Sequence, residues 1–397
     1  MDSTTRRALA DPDIIADAGK GGGLALARRG ELLVSHETGE VLARELREVG
    51  EPVNEVGQGI QLWRIRGEET PFALVERLSH AHAAPLRIGP NHVFFGCPPI
   101  HGCPAAPPKP ARSQVTFPPL SECPIEVAVL DSGTIPHPAL AGRVTSVQGE
   151  WINPSTGNLE PVPADKDDRD GDGLLDMMAG HGNLVSSVIA ERAPCARITS
   201  IGERGLHALY TEWQIAHALT TVGPKFGVVN LSIAGMTHRN RAPIGLALAL
   251  NALPAETAVV ASAGNMNTAI PHWPGAFRRV ICVGAVDDTG GSNPPPRASF
   301  SNFGAWVDCC CGGVDVLGAH LWWKGGLEDD PTGSYVFDGW STWSGTSFSA
   351  PKVAAAIAQV ACEREIAPRL AAAQLLAGSG GVAARWRSDM GIELGLV

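Results

Sequence analysis

Apolar residues along this chain fall into two alternating kinds of run. Short, continuous runs lie near residues 125–131, 197–202, 226–232, 257–263 and 279–285, and suit strands buried on both faces of a parallel sheet. Between and after them, residues near 184–191, 209–222, 241–253, 349–361 and 367–377 carry apolar positions at helical spacing. Such alternation predicts a mostly parallel sheet covered by helices on both faces, a domain over residues 123–397. Upstream the pattern is finer-grained. Residues 31–34 read as a strand, 40–49 as a helix, 52–56 as an edge strand, 60–65 as a half-buried strand of period two, 71–78 as a helix opened by Pro71, and 91–95 as a last strand. That β-α-β-β-α-β order predicts a small α+β, ferredoxin-like domain over residues 21–97. Residues 1–20 are polar and read as a flexible leader. The Pro-rich residues 98–122 read as an extended, exposed linker.

Composition narrows the function. The net charge of −10 argues against a general nucleic-acid binder, and no apolar stretch is long enough to span a membrane. The first twenty residues lack the apolar centre of a secretory signal, which sets a cytoplasmic location as the expectation. Nine cysteines is an odd number without framework spacing, so most are expected as free thiols. Cys309-Cys310-Cys311 reads as small buried residues after a strand; a metal-ligand role is the alternative, though no second cluster has zinc spacing.

The most informative stretch is Ser344-Gly345-Thr346-Ser347-Phe348-Ser349-Ala350-Pro351. Gly345 permits a tight turn, and the small apolar residues after Pro351 read as a buried helix. Ser347 would then sit at a helix N-terminus, where N–H groups and the dipole favour developing negative charge. A serine needs a base and an orienting carboxylate. Asp131 ends the first parallel strand in Asp-Ser-Gly, and His181 stands in Gly180-His181-Gly182-Asn183 at a helix start. A further strand ends in Ala263-Gly264-Asn265.

These four motifs, in the order Asp, His, Asn, Ser, resemble those of the subtilisin family of serine peptidases. Departures are Asn183 for Thr, Phe348 for Met and Ser349 for a small residue. Weaker matches at residues 230–235, 273–285 and 298–304 extend the resemblance over about residues 123–362. The resemblance implies a subtilisin-like α/β fold and an Asp131–His181–Ser347 triad. Asn265 and the Ser347 N–H would form the oxyanion hole. Ser232, Ile233, Ala234, Gly235 and Gly264 would bind an extended polypeptide substrate as an added strand. No cofactor is needed for that chemistry. By pattern and position the N-terminal domain resembles the family's propeptides, an intramolecular inhibitor and folding aid with a processing cut in the linker. An independent recognition or adaptor domain is the alternative. A catalytically silent, peptide- or partner-binding relative is the rival reading of the whole chain.

Asp168-Arg169-Asp170-Gly171-Asp172-Gly173-Leu174-Leu175-Asp176 places oxygens at alternate positions about a glycine turn. Asp168, Asp170, Asp172 and Asp176, with the Leu174 carbonyl, are candidate ligands for a structural calcium ion. Position twelve of such a loop is Ala179 rather than Glu, and a solvated acidic insertion is the alternative.

Overall fold

The computed structural model describes residues 8–396, apart from 20–22, 58, 97–106, 123, 154–157, 163–164, 203–208 and 222–224. Strands β1 (Ile14–Ala18), β2 (Leu24–Ser35), β3 (Gly50–Val56), β4 (Ile60–Ile65) and β5 (Ile88–Phe95) form an antiparallel sheet. Helices α1 (His36–Val41) and α2 (Ala43–Val49) connect β2 to β3, and α3 (Pro71–Ala81) connects β4 to β5. The order β5-β2-β4-β3 is that of a ferredoxin-like unit. Two expectations change here. Ser35 caps the first helix early, its Oγ accepting from Thr38 N, so the helix expected over 40–49 starts at His36 and breaks at Leu42. The leader is not flexible at its end, because the apolar Ile14 and Ile15 are buried where β1 pairs with β2.

Alternation decides what this sheet covers. Leu32, Val34, Trp63 and Ile65 face Leu46, Leu74, Val75 and Leu78 on the domain's own helices. Leu33, Ile60, Leu62 and Phe94 face the rest of the chain. The strand read as half-buried is therefore buried on both sides.

The linker is docked where it is described. There β6 (Lys109–Pro110) pairs with the hairpin introduced below, while both of its residues stay exposed. Residues 97–106 lie outside the described part.

The large domain follows the apolar runs. Its strands are β7 (Ile125–Asp131) and β8 (Val144–Gln148), a small ribbon of β9 (Glu150–Ile152) and β10 (Leu159–Pro161), then β11 (Ala196–Gly202). After β12 (Leu209–Thr211) come β13 (Val228–Leu231), β14 (Ala258–Ser262), β15 (Val280–Val286) and β16 (Cys309–Gly312). A long hairpin of β17 (Val316–Leu327) and β18 (Asp330–Trp343) precedes the terminal β19 (Ala384–Arg387) and β20 (Gly391–Leu394). The main sheet runs β19-β20-β16-β15-β14-β13-β7-β11-β8, parallel except at β19–β20. Helices α4 (His181–Arg192), α7 (Thr346–Arg364) and α8 (Pro368–Leu376) cover one face, meeting Val127 and Val129. Helices α5 (Glu212–Thr221) and α6 (Ile244–Ala252) cover the other, meeting Ala128 and Leu130. No helix among the described residues is long and apolar enough to cross a membrane.

The helix expected from residue 209 begins only at Glu212, because Leu209–Thr211 is drawn out as a strand against β5 of the small domain. Below that junction the two domains share a buried polar group. Glu212 is fully buried; its Oε2 accepts from His92 Nδ1 (2.6 Å) and its Oε1 from Gly245 N (2.5 Å) at the start of α6. His92 Nε2 in turn accepts from His238 N (3.1 Å). Removing one partner from such a buried group leaves the others unsatisfied, at about 3 kcal/mol. Glu212→Ala is therefore expected to lower the melting temperature by several degrees and Glu212→Gln by less; equal melting curves for all three proteins would contradict this coupling.

Candidate active site

The carboxyl ends of β7, β13 and β14 and the N-termini of α4 and α7 converge on one place. Asp131 is the last residue of β7, His181 the first of α4, and Ser347 the second of α7, and none is more than 1 % exposed. His181 Nδ1 lies 2.7 Å from Asp131 Oδ1. That oxygen also accepts from Ser132 N (2.7 Å). The Gly-His-Gly motif has a steric cause: a Cβ at Gly182 would stand 1.9 Å from the Gly133 carbonyl oxygen, so only glycine lets α4 start against the turn after β7.

Asp165, absent from the sequence-based list, ties the two segments together. Its Oδ2 accepts from Ser132 Oγ (3.1 Å) and from Gly180 N (3.1 Å), while Ser132 Oγ accepts from Gly182 N (3.1 Å). Asn183, the departure from the family motif, has its own task. Its side chain accepts from Ile135 N (2.7 Å) and donates to Ile135 O (2.8 Å), pinning the loop that follows Asp131.

Ser347 is placed by the packing of α7 on α4. The ring of Phe348 lies 5.0 Å from that of His181, and Trp343 meets His181 edge-on at 5.3 Å. Ser347 Oγ is 3.5 Å from the Ser232 carbonyl oxygen, and Ser232 Oγ donates to the Ser347 carbonyl (3.0 Å). Asn265 is oriented from the same helix end: its Oδ1 accepts from Thr346 N and from Thr346 Oγ1, both at 2.9 Å. Its oxygen is thus turned to Thr346, which makes the NH₂ its donor end. Asn302 braces the loop, donating to Ala263 O (2.8 Å) and accepting from Met266 N (2.9 Å). Gly264, with φ +95°, could carry no side chain there, since a Cβ would meet Asn302 Nδ2 at 2.6 Å.

The expected substrate segment is paired along both of its sides. Ala234 exchanges both backbone hydrogen bonds with Phe95 of β5, at 2.9 and 3.1 Å. Gly235 pairs on the other side of the segment with Trp273, N to O at 3.0 Å and back at 2.8 Å, as the alternation of an extended chain requires. Ile233 points into the core.

Outside this cluster, Cys309, Cys310 and Cys311 form the buried β16, and burial pushes the Cys311 thiol up to about 11, the behaviour of core residues. Of the tryptophans before Ser347, Trp340 is buried against Phe117 and His137, while Trp322 is exposed and stacks on His137.

The acidic loop draws in a residue the motif lacked. Carboxylate oxygens of Asp168, Asp170 and Asp176, and of Asp170, Asp172 and Glu328, lie within 4.8 Å of one another. Glu328 comes from the tip of the β17–β18 hairpin, held there by Leu175 N to Gly326 O (3.1 Å) and Glu328 N to Leu175 O (3.1 Å). Ala179, at the twelfth loop position, is buried.

The fold is that of a subtilisin-like α/β domain. The subtilase family model matches residues 124–377, and the chain belongs to that family. A thermophilic serine proteinase of Bacillus sp. strain AK1 is 30 % identical over 242 residues, 60 % of this chain and 52 % of that protein. The chain thus spans about half of that relative's length. Thermitase of Thermoactinomyces vulgaris is 27 % identical over 254 residues, 62 % of this chain and 78 % of that protein. Among solved structures, fervidolysin of Fervidobacterium pennivorans, a keratinolytic enzyme related to subtilisin, superposes with TM-score 0.62 at 19 % identity, covering 93 % of this chain and 60 % of its own. The epidermin leader peptide processing protease of Staphylococcus aureus gives TM-score 0.59 at 15 % identity, covering 93 % and 97 %. Both likenesses concern the fold.

Two buried imidazoles flank the site. Burial holds His320, packed on Phe337 and Trp343, down to about 3, and His272, bonded to Ile270 O, down to about 4. An unfolded histidine takes its proton near 6.5. Between those values the unfolded chain binds more protons, so stability is complete above about pH 6.5 and is lost as pH falls toward 4. Thermal melts at descending pH should trace that limb, and His320→Leu should flatten it; a limb equally steep in the variant would take His320 out of the account.

Proposed function

We propose that the protein hydrolyses internal peptide bonds through an acyl-enzyme on Ser347 and is made in a form blocked by its own N-terminal domain. The observation that carries the reading is the 2.7 Å contact between buried His181 and Asp131, beside a serine at a helix N-terminus. In this reading His181 Nδ1–H donates to Asp131, which fixes the tautomer and leaves Nε2 to take the Ser347 proton. Ser347 Oγ attacks the substrate carbonyl. The Asn265 NH₂ and the Ser347 N–H receive the oxyanion, aided by the α7 dipole. Loss of such an amide donor lowers turnover by about 10²–10³-fold in subtilisin itself. His181 then returns the proton to the leaving amine, and water releases the acyl group by the same route. The polypeptide lies extended along Ser232 and Ala234, with Gly264 on the opposite wall.

The pairing of Phe95 with Ala234 supports the latent form. The edge that a substrate strand needs is taken by the last strand of the N-terminal domain, whose antiparallel course leads on toward Ser232 and Ser347. In this reading a cut within residues 98–122 precedes activity. Intact mass measured with a fluorophosphonate probe is expected to show one adduct on the processed wild type, a cut within 98–122, and neither in Ser347→Ala. A processed chain that takes no adduct would instead favour the silent, partner-binding reading.

We also infer that the acidic loop holds a calcium ion. Glu328 supplies the carboxylate that position twelve lacks, and with Asp168, Asp170, Asp172 and Asp176 it makes two groups of hard oxygens that share Asp170, a chemistry that fits this ion. The loop ends five residues before His181, so the ion would stiffen the approach to α4. Chelation is expected to lower both the melting temperature and the rate, with recovery on adding calcium; a chelated protein identical in both would remove the ion from the picture.

A further inference from the structure

Three cationic or ring side chains leave one tight turn just beyond the substrate edge. His238, Arg239 and Arg241 follow Ala234 by four, five and seven residues. The turn is a built one. Arg239 and Asn240 both take left-handed backbone (φ 51° and 55°), Asn240 N donates to Thr237 O (2.9 Å), and Thr237 Oγ1 donates to Arg241 O (2.6 Å).

All its charge partners come from the N-terminal domain. His238 Nδ1 meets Asp17 Oδ2 at 2.7 Å and its Nε2 meets Glu76 Oε1 at 3.0 Å. Arg239 reaches Glu76 Oε2 at 2.8 Å and Arg241 reaches Glu76 Oε1 at 3.5 Å. Among the described residues no acidic group of the peptidase domain forms an ion pair with any of the three.

The direction of the chain places this turn relative to a substrate. Phe95 lies opposite Ala234, Phe94 packs on Gly235, and His92 Nε2 accepts from His238 N, so the upstream course of the inhibiting strand runs from the edge toward the turn. The Ser347 end lies the other way, at Ser232. A polypeptide laid on the same edge in the same direction, at about 3.3 Å per residue, brings its upstream residues past His238, Arg239 and Arg241.

We propose that this turn is a subsite for acidic residues of the polypeptide substrate, roughly six to nine residues N-terminal to the cleaved bond. Asp17 and Glu76 occupy it in the latent chain and leave with the N-terminal domain. The proposal rests on the peptidase reading above and adds the substrate class. The chain as a whole carries net charge −10, so the attraction is local to this turn and is screened by salt.

The test uses the full chain after it has processed itself. Two peptides share one sequence around the cleaved bond and differ only upstream, three Glu in one and three Gln in the other. The Glu peptide is expected to have a kcat/KM about 10-fold higher, carried by KM, with the ratio falling toward one in roughly 0.5 M salt. In Arg239→Glu/Arg241→Glu the ratio should invert. A ratio of one in wild type at low salt, or a preference indifferent to salt, overturns the subsite even if the double variant does not fold. A ratio unchanged in a folded double variant overturns it equally. Hydrolysis of neither peptide would overturn the peptidase reading, and this subsite with it.

Discussion

The close approach of α4 to the turn after β7 governs the centre of this molecule. With no side chain at residue 182 the helix starts almost on the Gly133 carbonyl, and its first residue, His181, comes within hydrogen-bond reach of Asp131. Ser132 and Asp165 then close the gap with hydrogen bonds that leave little play between strand and helix. A methyl group at residue 182 would force the two apart by an ångström or more, enough to break a 2.7 Å contact.

Around that contact the chain removes water. Trp343 and Phe348 close on the imidazole of His181, and the hairpin that carries Trp343 is itself propped by β6 and by Phe117 against Trp340. Charge interactions gain strength in such surroundings, so the packing of a region distant in sequence bears on the acid–base pair. The same helix that presents Ser347 also turns Asn265 through Thr346, so both side chains are positioned by one rigid element.

Much of this was legible in the residues alone. Asp131, His181, Asn265 and Ser347 each sit in a motif whose glycines and neighbouring apolar run announce a strand end or a helix start. What could not be read depended on contacts between segments far apart. Asp165 lies in a polar stretch with no motif, and only the fold brings it to Ser132 and Gly180. Glu328 reaches the acidic loop from a hairpin about 150 residues further on. Residues 209–211 carry a helical pattern that long-range pairing with β5 overrides. The pairing of Gly235 with Trp273 likewise joins segments that no local pattern connects. Ile14 and Ile15 were too short a run to stand out from a polar leader, and the sheet they join supplies the burial that the run lacks.

The strand β12 has a further meaning. Its backbone is completed by β5, a strand of the other domain, so the ladder crosses from one unit to the other. Without the N-terminal domain, Leu209–Thr211 would lose its ladder partners, and the apolar surface of α5 and α6 that Leu33, Ile60, Leu62 and Phe94 shield would be uncovered. A peptidase domain parted from it would carry a raw sheet edge beside an apolar face, the combination that invites another chain to dock or to aggregate.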